Sequence, residues 1–301
     1  MASRIFYCAT NYCARIAEMR HGFLLLNKPV GPSSHDCVAK ARSLLMERKV
    51  GHLGTLDPAA EGLLVLAVGA KALKVVELFK DLTKEYEAQI RLGAVSTTYD
   101  REGVIEEVVL KPGVSVPDQT AIQNIIADRF IGKIDQVPPG YSAVKVGGER
   151  AYRKMRQGRG VNLPPREVEI TDCDIVAFDY PDLTLHISCS SGTYIRSLAH
   201  DLGGLLRCGG YLSGLKRTKV GEWLIEDAVE LEETKWSDVI PLKEILANFP
   251  RIDLTEEEYY DIRNGRDITQ EVKPDTFGWF DGLPIAILIP ENGKTHARKV
   301  L

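Results

Sequence analysis

The stretch best suited to chemistry is Lys49-Val-Gly-His-Leu-Gly-Thr-Leu-Asp-Pro-Ala-Ala-Glu-Gly62, which sets a lone aspartate, Asp57, among three glycines and a proline. Pro58 disfavours helical backbone at Asp57, so the carboxylate is presented from a loop and not along a helix face. Gly51, Gly54 and Gly62 allow left-handed backbone or a close approach that a Cβ would block. Behind the loop, Leu63-Leu-Val-Leu-Ala-Val68 is an unbroken apolar run that predicts a buried strand. A carboxylate held on a tight loop against such a support suits a nucleophile or an acid–base group. The same residues also suit an ordinary turn in which Asp57 bonds its own backbone, and the loop alone does not separate these readings.

Other stretches do. Gly51-His-Leu-Gly-Thr-Leu-Asp-Pro58, with Leu26-Asn-Lys-Pro-Val-Gly-Pro-Ser-Ser-His35 before it and Gly192-Thr-Tyr-Ile-Arg196 after it, resembles the TruB family of tRNA pseudouridine synthases in order and spacing. The resemblance runs from about Gly22 to the C-terminus; one departure is Leu53, where many relatives carry a small or polar residue. It implies isomerisation of a T-loop uridine (tRNA position 55) without cofactor or metal, on a base flipped out of its stack. Asp57 would be the nucleophile and Arg196 its ion-pair partner. Tyr86, in the family's Lys-x-Tyr position, would stack on the base, and its hydroxyl could take or return a proton. Tyr194 would shape the pocket, Leu215 would cover the base, and His52 would fill the space the base leaves or brace its loop. Lys28 and His35 would contact substrate or hold the adjacent loop.

The fold the resemblance implies is α+β: a mixed, mainly antiparallel sheet with flanking helices, plus a small C-terminal PUA-like β-barrel that binds RNA or merely buttresses the enzyme. The expected domains are an extension over residues 1–20, a catalytic domain over 21–235 with an RNA-gripping insertion at about 129–166, and the small domain over 250–301. In the extension, Arg4, Arg15 and Arg20 with no acid before Glu18 suit either a weak targeting peptide or a non-functional leader ahead of Met19.

Charge agrees with an RNA partner only locally. The net charge of −4 gives no global basicity, yet Arg129 to Arg166 holds nine basic residues against Asp135 and Glu149. Helical spacing over Glu149–Arg159 predicts one cationic face from Arg150, Arg153, Lys154 and Arg156, suited to phosphates. Guide-RNA-dependent relatives largely lack such an insertion. The expected partner is therefore the tRNA T-arm with no guide RNA, bound by a monomer. Two alternatives stay open: a tRNA-binding or folding protein without essential catalysis, and a guide-directed synthase acting on ribosomal RNA. Six cysteines without a Cys-x-x-Cys pair fit free thiols in a reducing cytoplasm, and no apolar run is long enough to span a membrane.

The elements that must position these groups follow from periodicity. Gly22–Asn27 is a short strand, and Ser33 or Ser34 caps a helix with Val38, Ala41, Leu44 and Leu45 on one face. Ala70–Asp81 is a helix, and Thr83–Gly93 is an alternating strand carrying Tyr86. Pro117–Phe130 is a helix opened by Pro117 and Asp118. Val168–Phe178 and Leu183–Ser190 are paired strands, and Tyr194 and Arg196 sit at the start of a helix reaching Leu206. Tyr211–Gly221 is a strand carrying three cations. Thr234–Pro250 reads as a linker with one short helix, followed by a strand, a helix over Glu256–Asn264 and hairpins at Asp281-Gly282 and Asn292-Gly293.

Overall fold

The structure, a computed structural model, describes residues 21–301; the N-terminal extension lies outside them. Gly22–Lys28 (β1), Val50–His52 (β2), Glu61–Val68 (β3) and Lys84–Leu92 (β4) begin the main sheet. Ala94–Ser96 (β5) and Ile105–Glu107 (β6) pair with each other beyond it. Gly132–Gln136 (β7) returns to the sheet edge, and Lys145–Val146 (β8) with Glu149–Arg150 (β9) forms a small hairpin. Arg166–Asp179 (β10), Asp182–Cys189 (β11), Gly210–Val220 (β12), Trp223–Leu224 (β13), Val229–Glu230 (β14) and Val239–Pro241 (β15) complete it. The central path runs β14-β1-β3-β12-β4-β11-β10-β7, with β2, β13 and β15 attached at its sides. Within this sheet, among the described residues, β1–β14 and β3–β12 are the parallel pairs and the others are antiparallel, so the expected mixed, mainly antiparallel α+β fold is observed.

Strand patterning follows burial. On β1 and β3, Leu24, Leu26, Leu64, Leu66 and Val68 meet Cys37, Val38, Ala41 and Leu45 of the helix Ser34–Leu45. Their other face, with Phe23, Leu25, Leu63, Val65 and Ala67, meets Ala72, Val75 and Phe79 and, from the C-terminal region, Phe277, Trp279 and Ile287. Burial on both faces explains their unbroken apolar runs. In contrast, β4 alternates: Tyr86, Ala88, Ile90 and Leu92 face the helices Gln119–Arg129 and Ile195–Leu205, while Glu87, Gln89 and Arg91 face solvent.

The two halves of the sheet join where β3 meets β12, and one glycine makes that seam possible. Gly62 pairs with Arg217 at φ +104°, and a Cβ there would lie 2.3 Å from the Arg217 carbonyl oxygen. The Asp57 loop enters β3 at this seam.

Several expectations need correction. Leu44 is exposed, because the inward face of its helix is completed by Cys37. The helix from Ala70 ends at Val75 and tightens into a 3₁₀ turn, Val76–Phe79. The expected linker is integrated: β15 pairs antiparallel with β1, and Leu242–Ile245 forms a helical turn whose Leu242 joins the core. The C-terminal region is not a closed barrel among the described residues. Arg251–Asp253 (β16), Thr276–Phe280 (β17), Leu283–Glu291 (β18) and Lys294–Val300 (β19) form an open four-stranded sheet in that order. Both expected hairpin turns are present, with positive φ at Asp281-Gly282 and Asn292-Gly293.

Candidate active site

Asp57 opens a tight turn closed by the Ala60 amide, which donates to the Asp57 carbonyl at 3.1 Å. The backbone around it is held throughout. Arg217 Nη2 and Nη1 donate to the carbonyls of Gly54 and Thr55, each at 3.2 Å. Ser34 Oγ donates to the Leu56 carbonyl at 2.9 Å and accepts from the Leu56 amide at 2.8 Å. The Pro58 carbonyl accepts from the Gly31 amide at 2.9 Å and from Lys28 Nζ at 3.4 Å. Arg101 Nη2 reaches the Ala59 carbonyl at 3.1 Å, and Lys28 Nζ reaches that of Ala60 at 2.6 Å. Every carbonyl from Gly54 to Ala60 thus accepts a hydrogen bond, and cations supply most of them. Such a loop fixes a carboxylate within narrow limits.

Ser34→Ala tests that bracing. It leaves both polar groups of Leu56 buried and without their hydroxyl partner, an expected cost of about 1–3 kcal/mol. The midpoint of urea unfolding measures it, and an unchanged midpoint would show that the loop is held without Ser34.

Arg196 stands in the first turn of the helix Ile195–Leu205 and is buried. Its Nε lies 3.0 Å from Asp57 Oδ2 and its Nη1 3.4 Å from Asp100 Oδ2. Nη1 also donates to the Thr98 carbonyl at 3.2 Å, and Nη2 to that of Tyr141 at 3.1 Å. The planar guanidinium therefore ties two carboxylates to two loops, a geometry one ammonium does not reproduce. Asp100 is fixed in turn by the Thr98 hydroxyl at 2.5 Å and the Glu102 amide at 2.9 Å. Its neighbour Tyr99, at φ +65°, stacks on His200 with ring centroids 3.8 Å apart.

Asp57 and Arg196 border a cavity of about 220 Å³. Asp57, Tyr86, Tyr194, Arg196 and Leu215 line it, as do Leu53, Lys84 and Arg217. Tyr86 is 7% exposed, and burial pushes its hydroxyl above the usual tyrosine range. Leu215 stands opposite Ala88 across the β12–β4 ladder. Gln136 holds Tyr194 at both ends: its Oε1 accepts from the Tyr194 amide at 2.7 Å, and its Nε2 donates to the Tyr194 carbonyl at 3.0 Å.

Not every expected site residue joins this wall. Lys28 is fully buried and donates to the carbonyls of Pro29, Pro58 and Ala60, so it braces the loop from behind and cannot touch a substrate. His52 lies outside the cavity wall, edge-on to His35 at 5.5 Å, and burial, then the charges of His35 and Arg217, lowers its pKa. The cationic helix is shorter than its spacing predicts, Ala151–Arg156. Arg150 is on β9 and donates to the Ala143 carbonyl at 3.0 Å, because Gly147 and Gly148, both at positive φ, turn the preceding chain into a hairpin. Arg153 is exposed, Lys154 is half-buried and Arg156 lies over the Tyr152 ring at 5.6 Å, so no single face of four cations exists.

Comparison with known proteins meets this geometry. A family model described as "TruB family pseudouridylate synthase (N terminal domain)" matches residues 42–195, which span the Asp57 loop, Tyr86 and Tyr194. A tRNA pseudouridine synthase B of Carboxydothermus hydrogenoformans is 41% identical over 85% of this chain and 88% of its own. The chain belongs to the TruB family. A Thermotoga maritima protein of the same name is 38% identical over 91% of this chain and 88% of its own. Among solved structures, an H/ACA RNP bound to a substrate RNA containing 2′-deoxyuridine is similar with a TM-score of 0.67 and 21% identity, covering 94% of this chain and 86% of that one; the fold is shared.

Proposed function

We propose that this TruB-family chain isomerises a T-loop uridine of tRNA to pseudouridine, with Asp57 as nucleophile. The observation that carries this reading is the Asp57–Arg196 ion pair at 3.0 Å on the wall of a cavity shared with Tyr86 and Leu215. Arg196 aims the carboxylate, Tyr86 stacks on the flipped base, Tyr194 shapes the pocket, and Leu215 covers the base with apolar surface. Product formation replaces C5–H by C5–C1′, so a tRNA transcript tritiated at uridine C5 should release one tritium per turnover; no release would overturn the reading.

The chain is proposed to act as a monomer without a guide RNA, in the cytoplasm. The insertion carrying Arg153, Lys154 and Arg156 supports action without a guide RNA, as do relatives named for tRNA that match over most of their own length. Buried free thiols at Cys37, Cys173, Cys189 and Cys208 fit a reducing compartment, and no helix among the described residues is long and apolar enough to cross a membrane. The open C-terminal sheet is proposed as a PUA-like RNA-binding unit. Replacing Arg153, Lys154 and Arg156 by Gln should weaken tRNA binding and flatten its log–log salt slope by about 0.7–0.9 for each phosphate no longer neutralised. Affinity measured across a salt series checks this, and parallel slopes would remove the segment from the interface.

A further inference from the structure

Two buried cations line the cavity beside Tyr86 without an anionic partner. Lys84 is 8% exposed and Arg217 2%, and among the described residues neither has a carboxylate within ion-pair distance. Arg217 directs its guanidinium to three carbonyls, those of Gly54, Thr55 and Leu63, and so serves the loop. Lys84 differs. Its Nζ donates to the Leu82 carbonyl at 2.7 Å, one bond for a group with three donors. It lies two residues before Tyr86 on β4, so both side chains leave the same face of the strand, toward the cavity they both line.

The surroundings keep this ammonium poorly compensated. Burial, with Arg217 on β12 beside it, pulls Lys84 down to about 8. The other groups facing it are Cys189, its register partner on β11, whose thiol burial raises to about 11, the buried hydroxyl of Tyr86 on its own strand, and Asp81, an exposed carboxylate set 3.9 Å from Lys80. A buried cation without a counter-ion is costly, and such groups cluster where charge appears during function.

Uridine isomerisation produces such a charge. The C1′–N1 bond breaks with its electron pair on the ring, so the detached base is a uracil anion. It remains so while it turns, until C5 bonds to C1′, the C5 proton departs and N1 gains a proton, leaving no net change. We propose that Lys84 is a catalytic group: its ammonium donates to the uracil ring as the ring detaches and holds the anion while it turns. The inference rests on the uridine-isomerising function above and assigns the part of the cavity wall that Lys84 lines the electrostatic part of the work.

The test is single-turnover kinetics with saturating enzyme, on tRNA transcripts carrying uridine or 5-fluorouridine, for wild type, Lys84→Met and Lys84→Arg. Fluorine stabilises the detached ring's charge, so a 5-fluorouracil leaving group needs less help. Lys84→Met should slow uridine turnover about a hundredfold at unchanged tRNA affinity, and slow 5-fluorouridine consumption far less. Wild type should lose rate as the pH rises through about 8, where the ammonium deprotonates, whereas Lys84→Arg, always charged, should not. Equal loss on both substrates, or no loss, would overturn the inference by reducing Lys84 to a structural side chain. If Lys84→Met does not fold, superimposable pH profiles of wild type and Lys84→Arg would overturn it. An inactive wild type would defeat the function itself and the inference with it, a failure separable from the others.

Discussion

Asp57→Asn is expected to abolish pseudouridine formation while tRNA affinity stays within about tenfold, ~1.4 kcal/mol. The substitution keeps size and shape, and the loop that carries it is fixed by bonds to its backbone, none of which involves the Asp57 carboxylate. An amide oxygen can still accept from Arg196 Nε, now 3.0 Å from the carboxylate, so the cavity should keep its form. What disappears is the anionic nucleophile, which no neighbour replaces: Asp100 is buried behind Arg196 and is absent from the wall of the cavity that Asp57 shares with Tyr86. Single-turnover assays beside filter binding would separate the two effects. Turnover near wild type in the variant would remove Asp57 from the chemistry.

Arg196→Lys is the second large effect expected, a loss of about 10²–10³ in rate. A lysine keeps the charge but cannot span Asp57, Asp100 and the carbonyls of Thr98 and Tyr141 at once. Asp57 loses its direction, and Asp100 is left buried with a weakened partner. A stability cost of about 1–3 kcal/mol should accompany this, from polar groups left unpaired. Comparing the rate at saturating tRNA with the denaturation midpoint distinguishes lost aim from lost fold. A variant with normal kcat would show that the ion pair is not needed for catalysis.

How much of this is legible in the sequence depends on how local each signal is. The Asp57 loop, the strand behind it and the Tyr86 strand can be read because Pro58, the glycines and the two hydrophobic periods act within a few residues. The Asp57–Arg196 pair requires the family resemblance, since nothing local joins residues so far apart in the chain. The role of Lys28 is not legible, because a motif marks a position as important without saying which way its side chain points; here it points behind the loop, at carbonyls. Ser34, Gln136 and Arg217 hold the site through bonds to distant backbone, and their own neighbourhoods offer no period or turn signal for that. The cationic helix departs from expectation for a local reason. Gly147 and Gly148, at positive φ, make a hairpin that takes Glu149 and Arg150 out of the helix, and helical spacing alone ignores them. The open C-terminal sheet follows from tertiary pairing, which its two correctly read turns do not specify.

The most direct measurement is nucleotide-resolution mapping of pseudouridine in an unmodified tRNA transcript incubated with this protein alone. The account predicts stoichiometric conversion of one T-loop uridine by wild type, without added guide RNA, and none by Asp57→Asn. Absence of pseudouridine with wild type, or equal conversion by the variant, would contradict it.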